Sequence, residues 1–440
     1  MNDTRTVLLR IMKVAASTLS SHPQREVPFE PHRSEFLSPS THVCHNASTS
    51  HHWRTWPSTK EDESKQMERP RGGDGCAIVL CGTPDDRHVG VDLHYARGLP
   101  EGRPVGVHVP PGAHFVRVLG PADVTGVFVD VARGNARALV WDRDEETFRV
   151  AQEDDEEANR CVQAANAGEL PLAPCDPERC DVWKKLVSHV DQALLDRIAP
   201  VGGTICASLE PDPFQTHKTK AELRLDEQLE RNPTKDKEED PCTSGDGKCF
   251  YTKVERLVKG KDTGEDASQL TESNLNRIGQ LVRLVDKHHQ GAPSVFLGEF
   301  QFSFVAFLLG QSVLSFFHWK DILTLVLNCD PNSMNEKYRL FLEEFVQTLN
   351  CQLHLVLEEG GGRDTSLFEG GFMEELLEGS FIRSSVATFF ETMADAPPEL
   401  SRVADSAEKL RRLLKRALGW DFSITSLDNE DEFAPTVVQL

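Results

Sequence analysis

Glycine-rich segments are the first candidates for chemistry, because a phosphate-binding loop needs glycines, a lysine and a following hydroxyl at fixed spacing. Residues 245–249 read GDGKC, but Cys242 stands where the upstream glycine is required and Cys249 where a serine or threonine would bind Mg²⁺. The Gly-Lys pair at 260–261 fails both tests, and 359–363 (EGGGR) has no preceding strand. We therefore expect no nucleotide site.

Thiols and histidines are the next candidates, because zinc sites use closely spaced Cys and His ligands. Among 11 cysteines, Cys175 with Cys180 and Cys242 with Cys249 could be combined into a four-thiolate site, but neither pair has the spacing of a zinc knuckle. We expect unpaired structural thiols. The pair at 288–289 lacks a metalloprotease glutamate and is interpreted as a surface helix end.

Two other sets of possible metal ligands have no recognised spacing. They are the acidic run 153–157, which lacks the alternating ligands of a calcium loop, and a histidine-rich set near the start of the chain: His42, Cys44, His45, His51 and His52. No catalytic residue, cofactor or metal is therefore predicted, and the protein is expected not to be an enzyme. An enzyme of unrecognised type that uses the thiols or a glycine-rich loop stays an alternative.

The net charge of the chain restricts which kinds of partner it can bind. Asp and Glu number 70 against 48 Lys and Arg, a formal net charge of −22, which repels a phosphate backbone. Direct general nucleic-acid binding is therefore disfavoured. A local basic face at 411–416 is explained by the dipole at a helix C-terminus. The odd number of scattered cysteines favours a reducing compartment.

One apolar window, Val295 to Phe317, is long enough to suggest a membrane span, and Glu299 is its only charge. The polar residues within it, with breaks expected at Gly298 and Gly310, favour buried core helices of a protein without a membrane segment. We predict a buried helix over 297–310, with Glu299 near its N-terminal end.

The element pattern predicts an α+β protein with an N-terminal antiparallel β-rich domain and a C-terminal α-helical domain. Residues 1–72 are rich in Ser, Pro and His and are expected to be a disordered extension. Short β-branched runs then fill 73–210. Within them, 105–109 and 114–118 are interpreted as neighbouring strands joined at the Pro-Pro-Gly turn. A helix over 181–198 is expected to pack against the sheet.

Residues 211–265 are charged and are interpreted as a flexible linker with a short apolar patch at Phe250 and Val254. Helical periodicity then continues through 266–420. The last helix is the clearest, with a stripe of small and apolar side chains and a stop at Gly419: Leu400, Val403, Ala407, Leu410, Leu414 and Ala417.

The segment 297–323, LGEFQFSFVAFLLGQSVLSFFHWKDIL, resembles the central helical signature of the Aar-two family of splicing factors. Weaker matches follow in family order at 109–116 (VPPGAHFV), 182–190 (VWKKLVSHV) and 420–440 (WDF…EDEFAPTVVQL). The resemblance covers about 74–210 and 266–440. The extension 1–72 and a different segment before the helical domain depart from the family pattern.

The resemblance implies a helical domain similar to VHS domains and a role in biogenesis of the U-five small nuclear ribonucleoprotein, in cytoplasm and nucleus. Family members bind the scaffold Prp-eight through its RNase-H-like and Jab/MPN domains, and keep the Brr-two helicase off until maturation. A helical trafficking adaptor is the other alternative, because VHS-like folds serve elsewhere as sorting modules.

The tail, 421–440, is predicted to bind the partner. Its end is apolar and β-branched, follows an acidic run, and is suited to adding a strand to an exposed sheet edge. The predicted contact residues are Phe433, Pro435, Thr436, Val437, Val438, Gln439 and Leu440.

Overall fold

The computed structural model describes residues 76–83, 87–96, 104–120, 123–211, 247–255, 276–359, 381–394 and 396–422. The predicted extension 1–72 and the tail residues 433–440 lie outside these ranges, as does most of the predicted linker. The described chain confirms the α+β class, with β-sheets before the helical region.

The N-terminal region contains two five-stranded sheets. Sheet A has the order β8-β7-β1-β4-β9 and sheet B the order β10-β6-β5-β2-β3. The strands are β1 Cys76–Cys81, β2 His88–Val91, β3 His94–Ala96, β4 Val105–Val109, β5 Gly112–Leu119, β6 Val124–Val131, β7 Ala136–Asp142, β8 Thr147–Val150, β9 Leu172–Ala173 and β10 Thr204–Cys206.

Strand pairing differs from the prediction in two respects. Sheet B is antiparallel throughout, but in sheet A β1 pairs with β7, and β4 with β9, in parallel. The expected pairing of 105–109 with 114–118 is wrong: β4 pairs with β1, and β5 with β2 and β6. The Pro-Pro-Gly turn instead carries the chain from one sheet to the other, because β4 and β5 both turn valines toward the core between the sheets.

The alternation along β1 shows how the layers stack. Ile78 and Leu80 face the core between the sheets, whereas Ala77 and Val79 face outward and pack with Ala158 of the helix Glu156–Asn166, here α1. Since side chains alternate along a strand, both faces of β1 are buried. Sheet A is thus covered by α1 on one side and by sheet B on the other.

The helices that follow α1 are α2 Pro177–Leu186, α3 Gln192–Ile198, α4 Ile278–His288, α5 Pro293–Gly310, α6 Val313–Leu327, α7 Glu336–His354, α8 Phe381–Ala394 and α9 Ser401–Leu418. The predicted single helix over 181–198 is two helices, because Asp191 caps α3 by accepting a hydrogen bond from the Leu194 amide at 2.8 Å. The predicted stripe on α9 is buried except at Ala417, and Gly419 ends the helix in the left-handed conformation.

Helix α5 is the centre of the molecule. It is long and apolar enough for a membrane span, but 89% of that window is buried inside the protein. The expected break at Gly298 is wrong, since the helix continues to Gly310 and ends at Gln311, with φ of 55°. A Cβ at Gly298 would lie 2.2 Å from the His189 carbonyl oxygen, so the glycine permits close packing.

The sheets and the helices share one core. Phe302 of α5 stacks on Phe128 of sheet B with ring centroids 4.5 Å apart, while Phe300 packs on Phe345 of α7 at the same separation. The apolar cluster that contains them extends from sheet B to α9. The two predicted regions are therefore joined by a continuous apolar interface.

Substituting Phe304 tests whether α5 is core. Its ring is 1% exposed and packs edge-on against Phe307 and near Trp319. Phe304→Asp places a charge among apolar groups and should lower the free energy of unfolding by about 4 kcal/mol or more. Urea unfolding followed by circular dichroism measures this, with Leu340→Asp, at a half-exposed position on α7, as the control. Equal stability of both variants would contradict a buried α5.

A second prediction concerns the close approach at Gly298. Gly298→Ala should destabilise by about 1–3 kcal/mol, because the new methyl group meets a backbone carbonyl that cannot move independently. Gly279→Ala on α4 is the matched control, because its nearest atom, Arg283 Nη1, is 3.6 Å away. At position 279 the higher helix propensity of alanine should stabilise the protein by roughly 0.5–1 kcal/mol. Thermal melts of the two variants should move in opposite directions.

Candidate functional site

A buried cluster of ionisable and polar side chains surrounds Glu299 of α5. Five elements contribute to it: Arg197 from α3, Thr252 from the segment 247–255, His289 at the end of α4, Glu299 itself, and His318 from α6. The Glu299 side chain has no exposed surface. Because these residues come from separate elements, the cluster forms only when the elements are packed together.

The carboxylate oxygens of Glu299 are surrounded by protein groups. Oε1 accepts the Thr252 backbone N–H at 2.5 Å, and Oε2 accepts the Thr252 hydroxyl at 3.0 Å and Arg197 Nη2 at 2.8 Å. His318 Nε2 lies 2.9 Å from Oε1, without the alignment of a hydrogen bond. His289 Nε2 is 3.9 Å from Oε2. The buried charge is thus compensated on both oxygens.

The environment shifts the pKa values of this cluster in ways that agree with the geometry. Burial would raise the pKa of Glu299, but His318, the Thr252 amide and Arg197 together lower it to about 2. Burial lowers the pKa of His289 to about 4, so this imidazole is neutral near pH 7. Glu299 therefore stays a carboxylate, facing a neutral His289 and a charged guanidinium.

Tyr251 and Glu210 make further polar contacts beside the Glu299 cluster. The Tyr251 ring stacks on His318 with centroids 4.2 Å apart, and its hydroxyl lies 2.6 Å from Ser315 Oγ. At the N-terminus of α6, Glu210 accepts the Leu314 amide at 3.1 Å and the Ser312 hydroxyl. Burial raises the pKa of Glu210 to about 7. These contacts attach the end of the β region to the helices.

Three of the segments that carry the family resemblance, 109–116, 182–190 and 297–323, meet at this junction. Trp183 Nε1 from the 182–190 segment donates to the Ala113 carbonyl oxygen, within 109–116, at 2.9 Å. Gln301 from the 297–323 segment accepts the His189 amide at 2.8 Å. The matched segments therefore form the interface itself.

The segment 109–116 also contributes His114 to a buried ion pair with Asp92. His114 Nδ1 lies 2.7 Å from Asp92 Oδ2, and its Nε2 lies 2.7 Å from the Pro110 carbonyl oxygen. Burial opposes the charge, but Asp92 raises the pKa of His114. Asp92, with φ of 54°, also accepts the Phe115 amide at 2.9 Å. The pair holds the β2–β3 turn against β5.

The structure differs from the sequence predictions for His289 and for one pair of cysteines. His289 is not a surface residue: it is 3% exposed, because the segment 247–255 covers it. Cys175 and Cys180 are joined in a disulfide, so the prediction of unpaired thiols is wrong for this pair. The first turn of α2, capped by Asp176, brings residue 180 back beside residue 175. Cys249 is free and buried, and burial raises its pKa to about 12.

The segment predicted as a flexible linker, 211–265, includes a part that is packed against the protein. Cys249, Thr252 and Val254 are buried, whereas Phe250 is exposed, so 247–255 belongs to the junction. Cys242 and the glycine-rich residues 360–363 lie outside the described part. On α9, Arg411 pairs with Glu408 at 2.6 Å and Lys415 with Asp421 at 3.8 Å, as expected for a solvated helix end.

The chemistry of the Glu299 cluster fits a structural role, in which it fixes the relative position of the elements that contribute to it. Its carboxylate oxygens are occupied by protein donors, and among the described residues no group of three or more His, Cys, Asp or Glu side chains could hold a metal ion. The sequence signal for the cluster was present, since one acidic residue inside an apolar helix must find partners. The identity of those partners was not readable from spacing.

Fold and junction together define a class: an acidic α+β protein whose β-sandwich and helical region are joined through a shared core around one helix. The sequence model of the AAR2 N-terminal domain matches residues 74–200, and that of the AAR2 C-terminal repeat region matches 251–423. The chain belongs to the AAR2 family.

Relatives named protein AAR2 homolog agree with this assignment. The proteins of Mus musculus and Homo sapiens are each 24% identical to this chain, over 83% of it and 94% of their own length. The protein of Caenorhabditis elegans is also 24% identical, over 79% of this chain and 95% of its own.

The low pKa of Glu299 predicts a pH-dependent stability. The pKa of Glu299 in the folded protein, about 2, lies below the ordinary 4.5. The contribution of its ionised carboxylate to stability is therefore complete above about pH 4.5 and is lost as the pH falls toward 2. The shift corresponds to about 3 kcal/mol. Glu299→Gln should be less stable than the natural protein at pH 7 by about this amount, and the difference should shrink in acid.

Urea unfolding at pH 7, 5, 4 and 3 measures the difference. Glu255→Gln is the control, because Glu255 is exposed in the same segment as Thr252. A constant difference between the natural protein and Glu299→Gln across this pH range would show that Glu299 is not an ionised partner of the cluster.

Proposed function

We propose that this protein is a non-enzymatic pre-mRNA splicing factor, an assembly chaperone of the U-five small nuclear ribonucleoprotein. It binds a Prp-eight-like scaffold and keeps the Brr-two helicase off until maturation. The observation that carries the proposal is the match of AAR2 sequence models to both regions of the chain. We place its action in the cytoplasm and the nucleus.

The junction supports this role because the two regions share one packed core. Sheet B and helix α5 share apolar contacts at Phe128 and Phe302, and Arg197 and Glu299 add an ion pair at 2.8 Å. A holding factor must present surfaces to two scaffold domains, RNase-H-like and Jab/MPN, in a constant relative orientation. A rigid junction avoids the entropy cost of ordering them at binding.

Charge agrees with the same proposal. At −22 the chain is suited to steering toward a basic, RNA-binding protein partner and to avoiding nucleic acid itself. Exposed acidic residues such as Glu153, Asp154, Glu156 and Glu157 increase the association rate more than the affinity. The protein would then associate with the other components of the particle indirectly, through the scaffold protein.

The trafficking-adaptor alternative requires the helical region to act alone, as a VHS-like module. Helix α5 argues against that use, because it is buried on the side facing sheet B as well as the side facing α6 and α7. Separating the regions would expose Phe302, and Gln301 would lose the His189 amide. An adaptor would need a polar surface there.

Affinity purification followed by mass spectrometry separates the functions. Recovery of the scaffold and U-five proteins supports the proposal, whereas endosomal cargo would support the adaptor. The Glu299→Gln variant tests the rigid junction, because a loosened junction should reduce scaffold recovery at pH 7. Recovery of neither class would overturn both proposals.

The tail residues 433–440 are assigned here to the scaffold contact by strand addition. Truncation after Asp431 should weaken a ternary complex with the RNase-H-like and Jab/MPN domains by about tenfold or more, since a short added strand supplies several main-chain hydrogen bonds. Pull-down and calorimetry with the truncated protein measure this. Circular dichroism checks that it is folded, and unchanged ternary affinity would remove the tail from the mechanism.

A further inference from the structure

Two exposed apolar side chains, Phe250 and Val201, lie at the rim of the junction and are together called the Phe250 patch. Phe250 is 53% exposed and Val201 72% exposed, two of the four large hydrophobic side chains that are exposed in the described part of the chain. The Phe250 amide donates to the Ile198 carbonyl oxygen at 2.9 Å. That bond brings the segment 247–255 against the end of α3, shortly before Val201.

The backbone beneath Phe250 is held in place by its neighbours. Cys249 and Thr252 are buried, the Tyr251 hydroxyl contacts Ser315, and Thr252 is fixed by Glu299. An aromatic side chain presented by an ordered backbone loses little entropy on binding. Such aromatic residues are typical of binding hot spots.

Two lysines lie close to Phe250 in the sequence. Lys248 and Lys253 are both exposed, on a chain whose net charge is −22. The nearby Asp196 accepts the Gln192 amide, and Glu255 follows beyond Lys253. The patch therefore suits a segment that combines carboxylates with apolar side chains.

The tail of this same chain has that composition. Residues 428–432 read DNEDE and are followed by FAPTVVQL at 433–440. The described chain leads into it at Phe422, which packs on Phe390 of α8 at 5.1 Å. Helix α8 packs on α6, and α6 contacts Tyr251 through Ser315 and His318.

Reach is sufficient along this path. Two neighbouring helices span about 20 Å at ordinary interaxial distances. From Phe422 to Asp428 the chain makes six residue steps, which extend by roughly 20–22 Å at 3.3–3.6 Å per residue. The chain after Phe422 is therefore long enough for the acidic run 428–432 to cover that distance, and the apolar residues 433–440 follow it in the sequence.

We propose that the segment 428–440 docks in cis on the Phe250 patch, with its carboxylates toward Lys248 and Lys253 and its apolar residues on Phe250 and Val201. The contact is autoinhibitory, because the same residues cannot then add to a scaffold sheet. The autoinhibition rests on the proposed function, whereas the docking itself does not. A weak contact suffices, since a tether gives an effective concentration near millimolar.

Zero-length cross-linking of the full chain tests the docking. A water-soluble carbodiimide joins a lysine amine to a carboxylate as an amide, and the carbodiimide takes up the water lost as its urea. Mass spectrometry should find amides between Lys248 or Lys253 and Asp428, Glu430, Asp431 or Glu432. A mixture of ¹⁴N- and ¹⁵N-labelled protein should show that both ends come from one chain.

Substitution of the patch supplies the decisive comparison. Phe250→Ser should reduce the cross-link yield by about tenfold, as expected for loss of an aromatic anchor, while Val150→Ser, an exposed apolar position on β8, should leave it unchanged. Equal yields in the two variants would overturn the docking. So would equal cross-linking of the tail to Lys409 and Lys415 on α9.

The scaffold assay then tests the autoinhibition separately. Phe250→Ser in the full chain should tighten binding to the scaffold domains by about tenfold, because the tail no longer has a cis competitor. Unchanged scaffold affinity together with lost cross-links would overturn autoinhibition and keep the cis contact. No scaffold binding by either protein would count against the proposed function, while the cross-links still decide the docking.

Discussion

The rest of this structure depends on the burial of α5. A helix without a polar face must be covered all round, and Pro293–Gly310 is such a helix. Sheet B covers it through Phe128, and α6 and α7 cover it through Trp319 and Phe345. The sheets and the helices are therefore not free to separate, and every feature of the junction is arranged about this one element.

Burying α5 also buries Glu299, and this second constraint gives the junction its geometry. An isolated carboxylate in an apolar interior is strongly unfavourable, so Arg197, Thr252 and His318 must reach it from three different elements. Apolar packing is tolerant of small shifts, whereas charged hydrogen bonds have narrow distances and angles. The apolar contacts thus supply most of the stability, and the cluster selects one relative position of the elements.

The same arrangement connects fold to function. Three of the segments that carry the family resemblance meet at the junction through Trp183 and Gln301, so in this chain they form an interface between a sandwich and helices. Thr252 links that interface to the surface, because the backbone that it anchors also presents Phe250. The proposed function and the proposed tail contact both depend on this packed junction.

The sequence by itself determined the features that depend on local pattern: the buried apolar helix at 297–310, the stop at Gly419, the α+β order, and the family. Periodicity, cap chemistry and motif order are properties of neighbouring residues. Strand partners were decided only by the tertiary structure. The turn at Pro110 to Gly112 has the same local chemistry whether it closes a hairpin or crosses between sheets, and the core contacts of β4 and β5 choose the crossing. The burial of His289 was likewise decided by a distant segment, because residue type and spacing along the chain do not state which side chains will cover it.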